Sequence, residues 1–196
     1  MAAPVKPLYR VGWNLCSGFF QTFFPIEGYG SHHVPTDGPF LLAANHASYL
    51  DPPGVGVCFR RPIHYFARES LFRGPAGPIL RGVNAVPVNR DGSDLTAIRR
   101  ALDVLKAGEG LLVFPEGTRS KDGYIQPFKR GVSLFAEKTD TPILFLYLEG
   151  NADLMPKGSF MVKPGRLVIH IGPVIQPPAP VESLMEEYKK WVLGIN

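Results

Sequence analysis

Cysteine is nearly absent: Cys16 and Cys58 are the only two in 196 residues. They form no CxxC pair, so the chain offers neither a disulfide framework nor a cysteine-built metal site. Two reduced thiols in a cytosolic compartment are expected. No run of 18 or more apolar residues occurs, so nothing reads as a bilayer-spanning helix. The N-terminus does not read as a signal peptide, because Arg10, Asn14 and Gln21 interrupt its apolar character. There is no GxSxG elbow, which argues against a serine hydrolase of the usual design, no HExxH and no GxxxxGK[ST]. No metal or cofactor is expected. Repeats, low-complexity tracts and linkers are also missing, so a single domain over 1–196 is the simplest organisation.

Hydrophobic residues make up 45% and charged residues 19%, a globular rather than disordered balance. The 20 prolines and 21 glycines are scattered and punctuate many short elements. The net charge of +4 is local in origin, since eight arginines and only three acids lie between Arg60 and Arg100. Arginine matches phosphate oxygens, so this stretch either meets an anionic partner or forms a solvated basic face.

Residues 7–24, before Pro25, read as a helix. Leu8, Leu15, Phe19 and Phe23, with Cys16 and Phe20, recur at helical spacing. Such a face can dock on the protein itself or on a lipid surface. Short apolar runs follow at 40–44, 63–67, 85–88, 111–114 and 143–148, the signature of strands buried on both faces. Helical patterns at 93–107 and 129–138 sit between them. Ser93 is a candidate cap for the first, and Asp94 lies in its first turn. The expected class is α/β, a mostly parallel twisted sheet flanked by helices. Phe160 to Val162 and Leu167 to Ile175 suggest a C-terminal strand hairpin turning at Lys163-Pro164-Gly165. A last helix follows at about 183–193.

Two stretches carry chemistry. "NHASYLD" (45–51) follows the run 40–44, so His46 falls at the carboxyl end of a buried strand, where open α/β sheets bind ligands. Histidine can take a proton from a hydroxyl near neutral pH, and Asp51 can reach back to fix its tautomer. The alternative is Asp51 as a helix N-cap with Pro52 in the first turn. The spacing alone decides nothing, because His32 and Asp37 repeat it in a turn-rich loop. Ser48 is a rival nucleophile, poorly placed because a single residue separates it from His46. "VFPEGTRSKDG" (113–123) follows another buried strand. Gly117, Thr118 and Arg119 there suit an anion, with Glu116 orienting Arg119 or binding a hydroxyl. Arg90, in "AVPVNRDG", ends a third strand and can add positive charge at the same edge.

Asn45-His46-Ala47-Ser48-Tyr49-Leu50-Asp51 resembles the NHxSxxD motif of the 1-acylglycerol-3-phosphate acyltransferases. Phe114 to Ser120, with Pro115 in place, resembles their FPEGTRS motif without a mismatch. Val86 to Arg90 and Pro127 to Gly131 resemble the intervening and following blocks, so the likeness covers roughly residues 37–150. It implies the glycerolipid acyltransferase fold. It also implies transfer of a fatty acyl group from a thioester to the glycerol hydroxyl of lysophosphatidic acid, giving phosphatidic acid. His46 would be the base, Asp51 its orienting partner, and Glu116 to Arg119 the acceptor phosphate site with Arg90. Attack would be direct, without an acyl-enzyme. Asn45, Ser48 and Pro115 are motif support. The partners implied are a lysophospholipid, acyl-CoA or acyl-carrier protein, and a membrane surface met from the cytoplasmic side through the 7–24 helix; no nucleic acid is expected. Departures from the family pattern are Phe145 and Leu146 near a usual proline, Arg68 where lysine is common, and Asn89 where aspartate is. Another lysolipid acceptor, such as a lyso-ornithine lipid, and a non-catalytic carrier-binding protein remain alternatives.

Overall fold

Phe40–Ala44 (β2) is apolar at every position and fully buried. A strand with no polar face must be covered on both sides, and β2 lies fourth of seven in its sheet. Alternate side chains divide between two cores. Phe40, Leu42 and Ala44 pack with Phe20, Phe24, Val55 and Phe59, contributed by helix α1 (Pro7–Phe23), helix α2 (Asp51–Cys58) and their ends. Leu41 and Ala43 pack with residues of α4 (Leu95–Lys106), α5 (Gly131–Thr139) and α7 (Val181–Leu193). Each fully buried leucine or phenylalanine contributes about 1.5–3 kcal/mol.

The computed structural model describes residues 5–89, 94–120, 122–155, 158 and 161–195. The remaining strands are β1 (Ile26–Tyr29), β3 (Ile63–Arg68), β4 (Ala85–Val88), β5 (Gly110–Val113), β6 (Ile143–Glu149) and β7 (Leu167–Ile175). Their order is β1-β7-β6-β2-β5-β3-β4. All neighbours are parallel except β6 and β7. The short helices α3 (Gly77–Gly82) and α6 (Asn151–Leu154) follow β3 and β6. The carboxyl ends of β2 to β6 therefore share one edge, at which β1 and β7 begin.

The expected C-terminal hairpin needs correction. β7 does pair antiparallel, but with β6, and it takes β1 on its other side. Met161 and Val162 lie in no strand, and the Lys163 N–H donates to Leu154 O. Phe160 lies outside the described residues. Long apolar β6 offers β7 more cross-strand contact than a run of three residues. The capping expectation also shifts by one residue, since Asp94 caps α4 by accepting from Ala97 N at 2.9 Å. Ser93 lies outside the described residues.

Of α1, only Tyr9 and Phe20 are buried; Val11, Leu15 and Phe23 are 52%, 70% and 61% exposed. The helix is tied down by Trp13 Nε1 donating to Gly56 O at 3.1 Å and by Tyr9 accepting from Ile63 N. An apolar stripe is left facing outward. Phe145 and Leu146, which stand near the family's usual proline, are buried. Both side chains are in the core, Phe145 against Tyr188 and Trp191.

Candidate active site

Beyond Ala44 the chain leaves the sheet, but Asn45 continues its pairing with a side chain. Its amide donates to Leu148 O at 3.0 Å and its oxygen accepts from Leu148 N at 2.7 Å. Tyr188 Oη donates to Leu146 O at 2.7 Å beside it. Burial holds the Tyr188 phenol well above its ordinary pKa. The residue next to His46 is thus fixed to β6 and α7.

His46 Nδ1 lies 2.7 Å from Asp51 Oδ2. The same oxygen accepts from Ala47 N and Ser48 N, both at 2.9 Å, and Asp51 Oδ1 accepts from Asn151 Nδ2 at 3.1 Å. A fully buried carboxylate is costly unless its lone pairs are satisfied, and here four donors satisfy them. A carboxylate partner assigns the Nδ1 proton to His46 and leaves Nε2 as the basic nitrogen. The ring stacks on Phe114, with centroids 3.9 Å apart and planes at 16°. Asp51 is not an N-cap. It is the first residue of α2, its carboxylate turns back towards His46, and the Gly54 N–H is already given to Leu50 O.

Ser48 is fully buried and its hydroxyl is committed to the backbone. It donates to Met155 O and accepts from Leu50 N, each at 3.2 Å. Such a hydroxyl is a turn fixture rather than a nucleophile presented to a base.

The second motif closes on the first. Glu116 Oε1 accepts from His46 N at 3.1 Å, while Ser120 N donates to His46 O at 2.7 Å. Both backbone groups of His46 are therefore held by residues 116–120. Pro115 O accepts from Lys129 N, and Gly117 N donates to Phe114 O. Glu116 is turned inward. Burial is the main cause that pushes its carboxyl up to about 7, partly offset by the backbone donors of His46 and Gln126. Gly117 and Thr118 are exposed. Gly117 has φ +72°, and a Cβ there would sit 2.6 Å from Lys129 Nζ, so that ammonium lies directly over the turn. The Arg119 guanidinium lies 3.4 Å from the centre of the Tyr49 ring, a cation–π contact that sets its plane.

Arg90 lies outside the described residues. β4, which leads to it, is three strand spacings from β2, about 14 Å. His32 and Asp37 are exposed, with the His32 ring tilted against that of His33 and Asp37 accepting from Thr36. Among the described residues, no group of three His, Cys, Asp or Glu is placed to hold a metal ion. Cys58 is inert, its thiol pushed up to about 12 by burial.

The profile of the Acyltransferase family matches residues 25–148, more than half of the chain. This chain belongs to the acyltransferase family. The crystal structure of the 1-acyl-sn-glycerophosphate (LPA) acyltransferase PlsC from Thermotoga maritima superposes with a TM-score of 0.78 at 30% identity. That match covers 96% of this chain and 76% of that one. The Bacillus subtilis 1-acyl-sn-glycerol-3-phosphate acyltransferase is 27% identical over 82% of this chain and 80% of its own. The human alpha enzyme of the same name is 31% identical over 81% and 56%. The acyltransferase described here spans 41% of the chloroplastic Brassica napus relative, which is thus much longer. Phe114, Tyr188 and Asn151 in this acyltransferase escaped the sequence reading. Phe114 stood within a matched motif, but nothing marked it as a stacking platform.

Proposed function

We propose that this acyltransferase moves a fatty acyl group from a thioester to the free glycerol hydroxyl of lysophosphatidic acid, giving phosphatidic acid. The observation that carries the reading is the His46 Nδ1–Asp51 contact of 2.7 Å at the end of a buried strand. Nε2 of His46 removes the hydroxyl proton as the oxygen attacks the thioester carbonyl. The tetrahedral adduct collapses, the C–S bond breaks, and the imidazolium returns the proton to the departing thiolate. Asp51 stabilises the imidazolium. The committed hydroxyl of Ser48 supports direct attack over an acyl-enzyme.

The acceptor phosphate sits at Gly117, Thr118 and Arg119, with Lys129 beside them and Arg90 as a further cation. Glu116 serves by holding the His46 backbone. The acyl chain enters an apolar cavity between α1 and α2, lined by Trp13, Cys16, Pro52, Pro53, Val57 and Tyr65. Its wall begins at Pro52, next to Asp51. The donor is acyl-CoA or acyl-carrier protein, and no cofactor takes part.

The outward stripe of α1, Val11, Leu15, Phe19 and Phe23, meets the membrane surface from the cytoplasmic side. α1 ends at the sheet edge that carries His46, since Ile26 pairs with Leu167, beside the end of β6. No helix among the described residues is long and apolar enough to cross a membrane. The chain works as one acyltransferase domain with residues 7–24 as its membrane contact. The test is a product assay with each thioester donor and lysophosphatidic acid in mixed micelles, read by mass spectrometry. Phosphatidic acid from the parent is expected; its absence with both donors rejects the acceptor.

A further inference from the structure

We infer that Asn151 is a positioning residue for the His46–Asp51 pair, its amide fixing the rotation of the Asp51 carboxylate and, through it, the imidazole. This rests on the proposed role of His46 as base. The two oxygens of Asp51 are unequally supplied. Oδ2 meets three groups, His46 Nδ1, Ala47 N and Ser48 N, all within the same turn. Oδ1 has the Asn151 amide at 3.1 Å. Carboxylate torsions are broad and roughly two-fold, so a carboxylate anchored by one oxygen can still twist. A donor on the second oxygen removes that freedom.

The donor comes from far along the chain but is itself held firmly. Asn151 is 4% exposed and follows Gly150, whose φ is +78°. A Cβ on Gly150 would fall 2.5 Å from Arg166 O, so the turn that aims Asn151 admits glycine alone without a shift. On one side of it Leu148 is bonded to Asn45, and on the other Met155 O accepts from Ser48 Oγ. The segment 148–155 thus crosses the turn 45–51 at three points, and the middle one is the carboxylate. An amide suits this place, because it donates without adding charge and keeps the carboxylate's whole charge for His46. The other groups around the pair are Glu116 and Arg119 from the loop after β5, with Tyr49 over Arg119 and Tyr188 of α7 touching Asn45. Substitution at 151 leaves all of them in place.

The test compares Asn151→Ala, Asn151→Asp and Asn151→Ser with the parent and His46→Ala, in the full chain. Values of kcat and KM are measured from pH 5 to 9, and Tm is recorded for each. Asn151→Ala is expected to lose kcat by about ten- to a hundred-fold, the worth of one bond to a charged group. KM for the acceptor should stay within about twofold. Loss of the donor leaves the carboxylate more basic, so the pair holds its proton more tightly. The acid limb of kcat/KM therefore moves to higher pH, further in Asn151→Asp, where a second carboxylate faces the first. Asn151→Ser, which keeps a donor, should recover part of the rate. An unmoved limb, with rates that merely follow Tm across the three variants, overturns the inference. So does parental kcat in Asn151→Ala while His46→Ala is dead. Turnover in His46→Ala would instead remove the base itself, and the inference with it.

Discussion

The sheet has two edges, and each carries a histidine five residues before an aspartate. At the carboxyl edge, His46 and Asp51 are buried, in contact, and enclosed by backbone donors. At the amino edge, His32 and Asp37 are exposed and engage other partners. That edge is closed by a different residue. The Arg61 guanidinium donates to Pro35 O, Gly38 O and Gly108 O and lies over Phe40. One arginine of the basic stretch is thus consumed as mortar. A spacing in sequence becomes a site only where a strand end delivers it and neighbouring backbone groups turn towards it.

The strongest way to break this contrast is to remove the base at each edge. His46→Ala should lose about 10²- to 10⁴-fold in kcat. His32→Ala should leave turnover at the parental level, measured in the same micelle assay. Equal losses would end the distinction between the edges. Next, Arg119→Ala should raise KM for the acceptor by roughly tenfold or more, the worth of a charge-assisted bond. The matching loss at the amino edge, Arg61→Ala, should cost about 1–3 kcal/mol of stability in a denaturant melt, because three carbonyls lose one cation. Its kcat should not change.

The smallest effect concerns pH. The folded carboxyl of Glu116 is raised from 4.5 to about 7, so the native state holds this proton more tightly than the unfolded chain. Its contribution to stability is complete below about pH 4.5 and is lost as pH rises through about 7. Glu116→Gln, which still offers an acceptor to His46 N, should flatten the fall in Tm between about pH 4.5 and pH 7. An unchanged slope would mean that Glu116 is ionised throughout.

Much of this was legible in the chain. β2, β5 and β6 announced themselves because a strand covered on both faces must be continuously apolar. α4 was visible from its spacing, and the two motifs from their residues. β1 was hidden, since Ile26–Tyr29 contains a glycine and merges into a turn-rich stretch, and only β7 completes it. The partner of β7 was misread because pairing is a property of two segments, and one segment's pattern does not name the other. Glu116 was read as orienting Arg119 or binding a hydroxyl; its bond to the His46 N–H spans 70 residues and was not legible. Asn151 meets Asp51 across 100 residues, and in "EGNADL" an asparagine after glycine looks like any turn former.

The two prolines after Asp51 have an effect of their own. A carboxylate at the start of a helix normally competes for the N–H groups of the first turn. Pro52 and Pro53 have none to offer, and that of Gly54 is already taken. The helix's own first turn is silent, so apart from the Asn151 amide the donors to Asp51 come from the turn behind it. Replacing either proline would restore a rival N–H in the first turn while leaving His46 and Asp51 themselves unchanged. Selectivity here is written partly in groups the chain leaves out.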